Sequence, residues 1–439
     1  MKRLSSLILA LLLTLPTVRV FSDEALVKRL LLKINQIPYV DSHVHLAFPD
    51  PNRKANYDVL SLLNASTYVA EFTYGEDWPA LKKSLAINGH HAYYRPILEA
   101  MRDLYGMGPN EELNDSNIER ISKARNAAYH RPGFYDEVFR KANMVHMIDL
   151  DGGDKGQADM PSPIWHSMWN IDPSFVFIQD YDKKEKVWPI DRDQKYFKVK
   201  INNLADMEKL ISTQIEAFFK RGGVGLKSTA AYFRKLDFDP AAPRGPAEKV
   251  FARVLKHESL NAKDTKLIQD YLMTCVLQAC ADLKKPIQFH TGNQQNWNIV
   301  ENSNPLELNP LFYTGRFANA RFVLLHGGYP YTKESITLAR YYHPTVNLDL
   351  AWMVLYSPAA AKETLSEAID MLDGSQLMIG TDSANLEEQY GTIKFTRRVM
   401  AEVLAEKIES GFLTEPVALQ IARRILYTNA VELYGLDKK

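Results

Sequence analysis

The chain has 439 residues, 46% of them hydrophobic and 24% charged, with 53 basic and 53 acidic side chains and a formal net charge of zero. That balance supplies a large core. It excludes the basic excess of a nucleic-acid binder and the charge imbalance of a disordered chain. The two cysteines, Cys275 and Cys280, are too few for a disulfide framework. Five residues apart on a predicted helix they point in different directions, so they read as small buried hydrophobes rather than zinc ligands.

In chain order, the first feature is residues 1–22. Lys2 and Arg3 precede an apolar run at 7–15 that Pro16 ends, and Val20-Phe21-Ser22 suits cleavage before Asp23. This is the pattern of a secretory signal peptide. The run is well short of the ~20 residues a membrane span needs. The expectation is a secreted or periplasmic protein with no stable membrane insertion after cleavage, whose residues 23–439 form a single domain.

Eight short β-rich runs follow, at 37–44, 144–150, 175–179, 223–227, 286–290, 322–326, 345–350 and 377–381. Most are continuously apolar, as strands covered on both faces are. Amphipathic stretches lie between them, the clearest at 205–220, 263–283, 333–341 and 358–372, and helices over 415–436 close the chain. Strand alternating with helix predicts a parallel sheet. Eight such units predict an α/β fold of the (β/α)8 TIM-barrel type over an open, doubly wound sheet. The first connection breaks the rhythm. Residues 46–142 are Tyr-rich and mostly helical in pattern, where a βα loop is a few residues long. A helical cap is therefore predicted after the first strand, on the face where barrels carry their catalytic groups. The Lys- and Asp-rich stretch 180–200 reads as a loop or hairpin.

Chemistry-bearing residues gather at the ends of these runs. His43 and His45 close the first, in Asp41-Ser42-His43-Val44-His45. Residues two apart on a strand share a face, so both imidazoles can enter the barrel mouth as half of a zinc site. Lys227 ends the fourth run, His290 the fifth, His326 the sixth and Asp382 the eighth. A lone histidine there can be a core residue, but several ligand-type side chains at the C-terminal ends of barrel strands predict a metal site. Asp149, Asp151, Gln179, Asp180 and Asp349 are weaker candidates at other strand ends. Trp165, His166 and Trp297 are candidate pocket walls that packing explains equally well.

The pattern of His-x-His, two later histidines and a final Asp resembles the amidohydrolase superfamily. GLKSTAAY, QFHTG, NPLELNPLF, VLLHGGYPYT and NLDLAW are similar to the amidohydrolase-related (amidohydrolase 2) domain that fungi and plants fuse to glutamine synthetase. That branch shares its wider family with aminocarboxymuconate-semialdehyde decarboxylase and related lactonases. The resemblance implies that His43, His45, His290 and Asp382 hold a divalent metal, zinc above all. It also implies that His326 binds a second metal or polarises the substrate, and that Asp382 takes a proton from the activated water. Three readings of Lys227 stay open: a carbamylated bridge between two metals, a binder of a substrate anion, or a structural lysine. One metal or two stays open with them. The similar sequences are expected to carry Arg directly after Tyr; this chain reads Tyr232-Phe233-Arg234. Tyr232, Arg234 and Lys227 are the candidate substrate-binding residues. The reaction expected is hydrolysis of an amide-type C–N or lactone C–O bond of a small molecule. The alternatives are a non-oxidative decarboxylase on the same ligands and a non-catalytic metal-containing binding protein. Nothing suggests a nucleic-acid partner, and a homo-oligomer is left open.

Overall fold

The computed structural model describes residues 23–47, 55–65, 77–294 and 299–437. The predicted leader, parts of the predicted cap and Trp297 lie outside the described residues. Eight strands form one sheet: β1 Tyr39–Val44, β2 Met144–Asp149, β3 Trp165–Asn170, β4 Gly225–Ser228, β5 Pro286–Phe289, β6 Arg321–Leu324, β7 Val346–Asp349 and β8 Leu377–Met378. They pair in sequence order and every pair is parallel. The ring closes just beyond β8, where Asp382 N donates to His43 O (2.8 Å) and His45 N donates to Ser383 O (3.0 Å). This is the (β/α)8 barrel, and its closing seam is also where His43, His45 and Asp382 meet.

Local chemistry explains the helices between the strands. Leu204–Lys220, Ala262–Leu283 and Pro358–Met371 start on Asn203, Asn261 and Ser357, whose side chains accept from the first-turn N–H groups of Asp206, Asp264 and Ala360. Val40, Ile148, Met168, Val323 and Met378 make a small apolar layer with Ala430 and Tyr434 of the last helix, Asn429–Tyr434. The main core lies between the strands and the surrounding helices.

Two expectations need correction. The apolar run 175–179 is not the third strand. β3 lies ten residues earlier, and Asp172–Val176 is a π-helical turn. Pro173 offers no N–H to a sheet ladder. Phe175 is buried against Trp169 (5.1 Å between ring centroids) and Phe197 (5.9 Å). Its apolarity serves helix-to-strand packing. Within 180–200, Asp182 and Val187 form a single antiparallel bridge, but Pro189–Phe197 is a helix, entered through a proline that needs no amide partner there.

Between β1 and β2 the described residues form the helices Val59–Ala65, Trp78–Asn88, Tyr94–Tyr105, Ile118–Tyr129 and Phe134–Lys141. This helical insertion is fastened to the barrel helix Leu386–Glu409 by close packing and by buried and part-buried polar contacts. Gly391 lets Tyr94–Tyr105 approach closely, since a Cβ there would fall 1.9 Å from Pro96 O. Arg125 Nε donates to Glu387 Oε1 at 2.6 Å, with both side chains buried. Tyr105 and Tyr129 hydroxyls donate to the same carboxylate at 2.5 and 2.8 Å. No helix among the described residues is long and apolar enough to cross a membrane.

Candidate metal centre

His43 and His45 project from the end of β1 toward one carboxylate. Asp382 Oδ1 lies 3.2 Å from His43 Nε2 and 3.4 Å from His45 Nε2. One ligand atom from each of the three residues lies within 4.8 Å of the others. Ligands on a tetrahedral zinc, at bonds of ~2.1 Å, are themselves roughly 3.4 Å apart. Among the described residues, this trio is the group of three or more metal-ligating side chains with that spacing.

The backbone beneath the trio is braced by residues of the same motif. Asp41 accepts from Thr381 N (2.8 Å), Thr381 Oγ1 (2.6 Å) and Gln389 Nε2 (2.8 Å). Asp349 accepts from Ser42 Oγ (2.5 Å), Gly380 N (2.8 Å) and Ala351 N (2.9 Å). These two carboxylates tie β1 to the turn that carries Asp382. Gly380 is needed at that seam, because a Cβ would lie 2.7 Å from His43 N. Asp382 and His326 both sit in the left-handed region, at φ 57° and 61°. For non-glycine residues this costs on the order of 1 kcal/mol or more. The surrounding hydrogen bonds hold them there and aim their side chains into the mouth.

His290 and His326 stand beside the trio. His326 Nε2 is 3.0 Å from His290 Nδ1, and His326 Nδ1 is 3.7 Å from Asp382 Oδ2. His290 Nε2 donates to Asn293 O at 2.8 Å. Both ring nitrogens of His290 are thus engaged, and the expected four-ligand set is assembled here as three residues with His290 adjacent. Lys227, at the end of β4, is 1% exposed, and its Nζ lies 3.4 Å from His43 Nε2. Tyr232 packs over His290 with ring centroids 4.5 Å apart. Asp151, Asn170 and Thr229 complete a cavity of about 510 Å³.

Residues 241–436 match the model of the family described as Amidohydrolase. Protein fluG of Emericella nidulans is 30% identical over 227 residues, which cover 49% of this chain. Over that C-terminal part the chain is similar to the amidohydrolase-related family. It spans about a quarter of that relative's length (26%). Among solved structures, uronate isomerase of Thermotoga maritima aligns with a TM-score of 0.73 at 15% identity, covering 94% of this chain and 98% of that one. A Lactobacillus casei protein assigned as a metal-dependent hydrolase aligns with a TM-score of 0.65 at 17% identity, covering 92% and 97%. At such identities the likeness is one of fold.

The electrostatics of the site suit a cation. Burial, then the nearby Lys227, lowers the His43 pKa to about 3, and burial lowers His326 to about 4 and His290 well below its usual range. These imidazoles keep the lone pairs that ligation requires. Burial also pulls His45 down, but Asp151, with Oδ1 3.6 Å from His45 Nδ1, and Asp382 outweigh it and raise the value. For Asp382, burial alone would favour the acid; the hydrogen bond from His43 and the neighbouring imidazoles overcome it and keep the carboxylate ionised. Burial lowers Lys227 to about 7 against the pull of Asp382, Asp349 and Asp172. Two imidazoles and a carboxylate are a donor set that fits a divalent ion of zinc's type.

The remaining candidates fall elsewhere. Arg234 is not in this cavity. Its guanidinium is held by Asp270 (2.8 Å) and Asp237 (3.0 Å), and it lies over the Phe238 ring, lining a neighbouring cavity with Gln179 and Asp180. Two acidic neighbours outcompete the open mouth for it. Asp149 accepts from Trp165 Nε1 (2.6 Å) and Asp151 N (2.9 Å), a bracing role. His166 contacts His146 (3.0 Å) and Gln157 (2.9 Å), away from the centre. Asn170 escapes sequence reasoning because β3 is misplaced there. Asp151 is visible in the sequence, but only its contact with His45 shows what it does.

Proposed function

We propose that this protein is an exported hydrolase of the amidohydrolase type that binds one divalent cation, zinc, and breaks an amide-type C–N or lactone C–O bond of a small molecule. The observation that carries this reading is the convergence of His43 Nε2, His45 Nε2 and Asp382 Oδ1 in a cavity. His43, His45 and Asp382 would hold the ion; His290 would join them by giving up one of its present partners. A cation bound there supplies Lewis acidity, which polarises the carbonyl under attack and eases deprotonation of water. The ionised Asp382 accepts the proton of the attacking water and returns it to the leaving nitrogen or oxygen. His326, whose Nδ1 is held by Ala351 O at 3.1 Å, stands beside Asp382 and would polarise the substrate carbonyl. Lys227 and Tyr232 flank the ligands and position the substrate. Export rests on the leader pattern of residues 1–22.

The decarboxylase reading needs cations to grip a substrate carboxylate beside the metal. With Arg234 committed to Asp270 and Asp237, Lys227 alone of its two candidate cations faces the cavity. A panel of amides and lactones assayed on the zinc-loaded full chain tests the proposal. Turnover that chelation abolishes and zinc restores supports it. Carbon dioxide release from carboxylated aromatics in place of hydrolysis would favour the decarboxylase. Tight metal with no turnover of either kind would favour a binding protein.

A further inference from the structure

The metal cavity continues on the side facing the helical insertion. Ala47 and Ala384 line it, and they also line a second cavity of about 530 Å³. The walls of this second space are aromatic: Tyr57, Tyr129, Phe134, Tyr135, Phe139 and Trp165. Tyr57 and Tyr129 are stacked at 4.5 Å, and the hydrogen bond from Trp165 Nε1 to Asp149 fixes the indole plane. The cations at the walls are already matched, Arg125 by Glu387 and Arg131 by Glu137 at 2.6 Å. Asp136 is the other charged lining residue, and it is exposed. The described lining residues therefore offer no uncompensated positive charge to an anion.

One of the cavity's lining residues carries an unmatched donor. Asn385 Oδ1 caps the helix Leu386–Glu409 by accepting from Glu388 N at 2.9 Å, which fixes the orientation of the amide. Among the described residues, its Nδ2 is buried without a hydrogen-bond partner, as is Ser162 Oγ. Asn385 is 9% exposed, lines the cavity and follows Asp382 by three residues. A buried donor left unmatched is uncommon, and a ligand's acceptor resolves it.

We propose that this second cavity is the specificity pocket of the enzyme, taking a neutral aromatic group that carries a hydrogen-bond acceptor for Asn385 Nδ2, while the scissile bond lies at Asp382. This deepens the hydrolase reading and rests on it: the substrates are aryl-bearing amides or lactones.

The test uses the zinc-loaded full chain and three probes: acetamide, benzamide and 4-nitrobenzamide. Affinity is read by calorimetry and turnover by ammonia release. The expected result is that 4-nitrobenzamide binds ~tenfold or more tightly than acetamide, since a ring leaves water for an apolar wall. Ser162→Phe, which fills the cavity, should erase that preference. Asn385→Asp keeps an oxygen for the cap but removes the donor, and should erase the advantage of 4-nitrobenzamide over benzamide. Ring probes that bind no better than acetamide overturn the proposal, even if acetamide is hydrolysed. Ring probes that bind with the expected preference but are never cleaved leave the pocket standing and overturn the hydrolase reading instead. A preference that survives both variants places the ring elsewhere and also overturns the pocket assignment.

Discussion

Replacing Arg125 with Met should be among the most destabilising single changes in the protein. Glu387 is 0% exposed, and Arg125 supplies its only cationic partner among the described contacts. Removing one member of a buried pair strands the other, at a cost of about 3–5 kcal/mol. The Tyr105 and Tyr129 hydroxyls still donate to the carboxylate, which pulls the figure toward the lower end. The guanidinium also lies 4.5 Å from the Tyr129 ring centre, a contact worth about 0.5–2 kcal/mol that Met loses in part. A net loss of about 4 kcal/mol is expected, read as a shift in the urea midpoint at unchanged slope. The double variant Arg125→Met/Glu387→Gln removes the stranded charge and keeps an acceptor for the tyrosines, so it should recover about half of that. The pair also sets a pH dependence. Although burial opposes it, Arg125 holds the Glu387 carboxyl below its ordinary value of 4.5. This contribution is therefore full above pH 4.5 and is lost as pH falls through the lower folded-state value. An Arg125→Met protein within about 0.5 kcal/mol of the parent at pH 7, far under the buried-pair range, would refute the reasoning.

Other expectations are more local. Asp382→Asn should lower kcat of the zinc-loaded protein by ~10²–10⁴, the usual range for a lost acid–base group, with stopped assays on any accepted amide as the check. Lys227→Met should leave the metal-to-protein ratio unchanged while raising KM; a ratio cut by half, measured by atomic emission, would instead mean that Lys227 bridges two ions. Gly391→Ala forces apart two helices that now touch at Pro96 O, and thermal unfolding should show a loss of about 1–3 kcal/mol.

The sequence carried the barrel because buried parallel strands read as apolar runs, and seven of eight were placed within a few residues. The third was lost to a decoy. Phe175-Val176-Phe177-Ile178 is more apolar than the true strand, Trp165-His166-Ser167-Met168-Trp169-Asn170, because its job is to fill the space outside the sheet. His43, His45 and Asp382 were legible because their positions at strand ends fix where they point. Arg234 was not, since its fate depends on Asp237 and Asp270, one of them 36 residues downstream on another helix. Nothing in the sequence singles out Asn385 or Glu387. Only the docking of the insertion against Leu386–Glu409 gives them a buried donor and a buried ion pair to supply.

Anomalous diffraction from crystals grown with zinc addresses the metal centre most directly. The account predicts one strong peak within bonding reach, about 2.0–2.2 Å, of His43 Nε2, His45 Nε2 and an Asp382 oxygen. A map with no peak there, or with the ion seated on other residues while these three remain bonded only to one another, would contradict it.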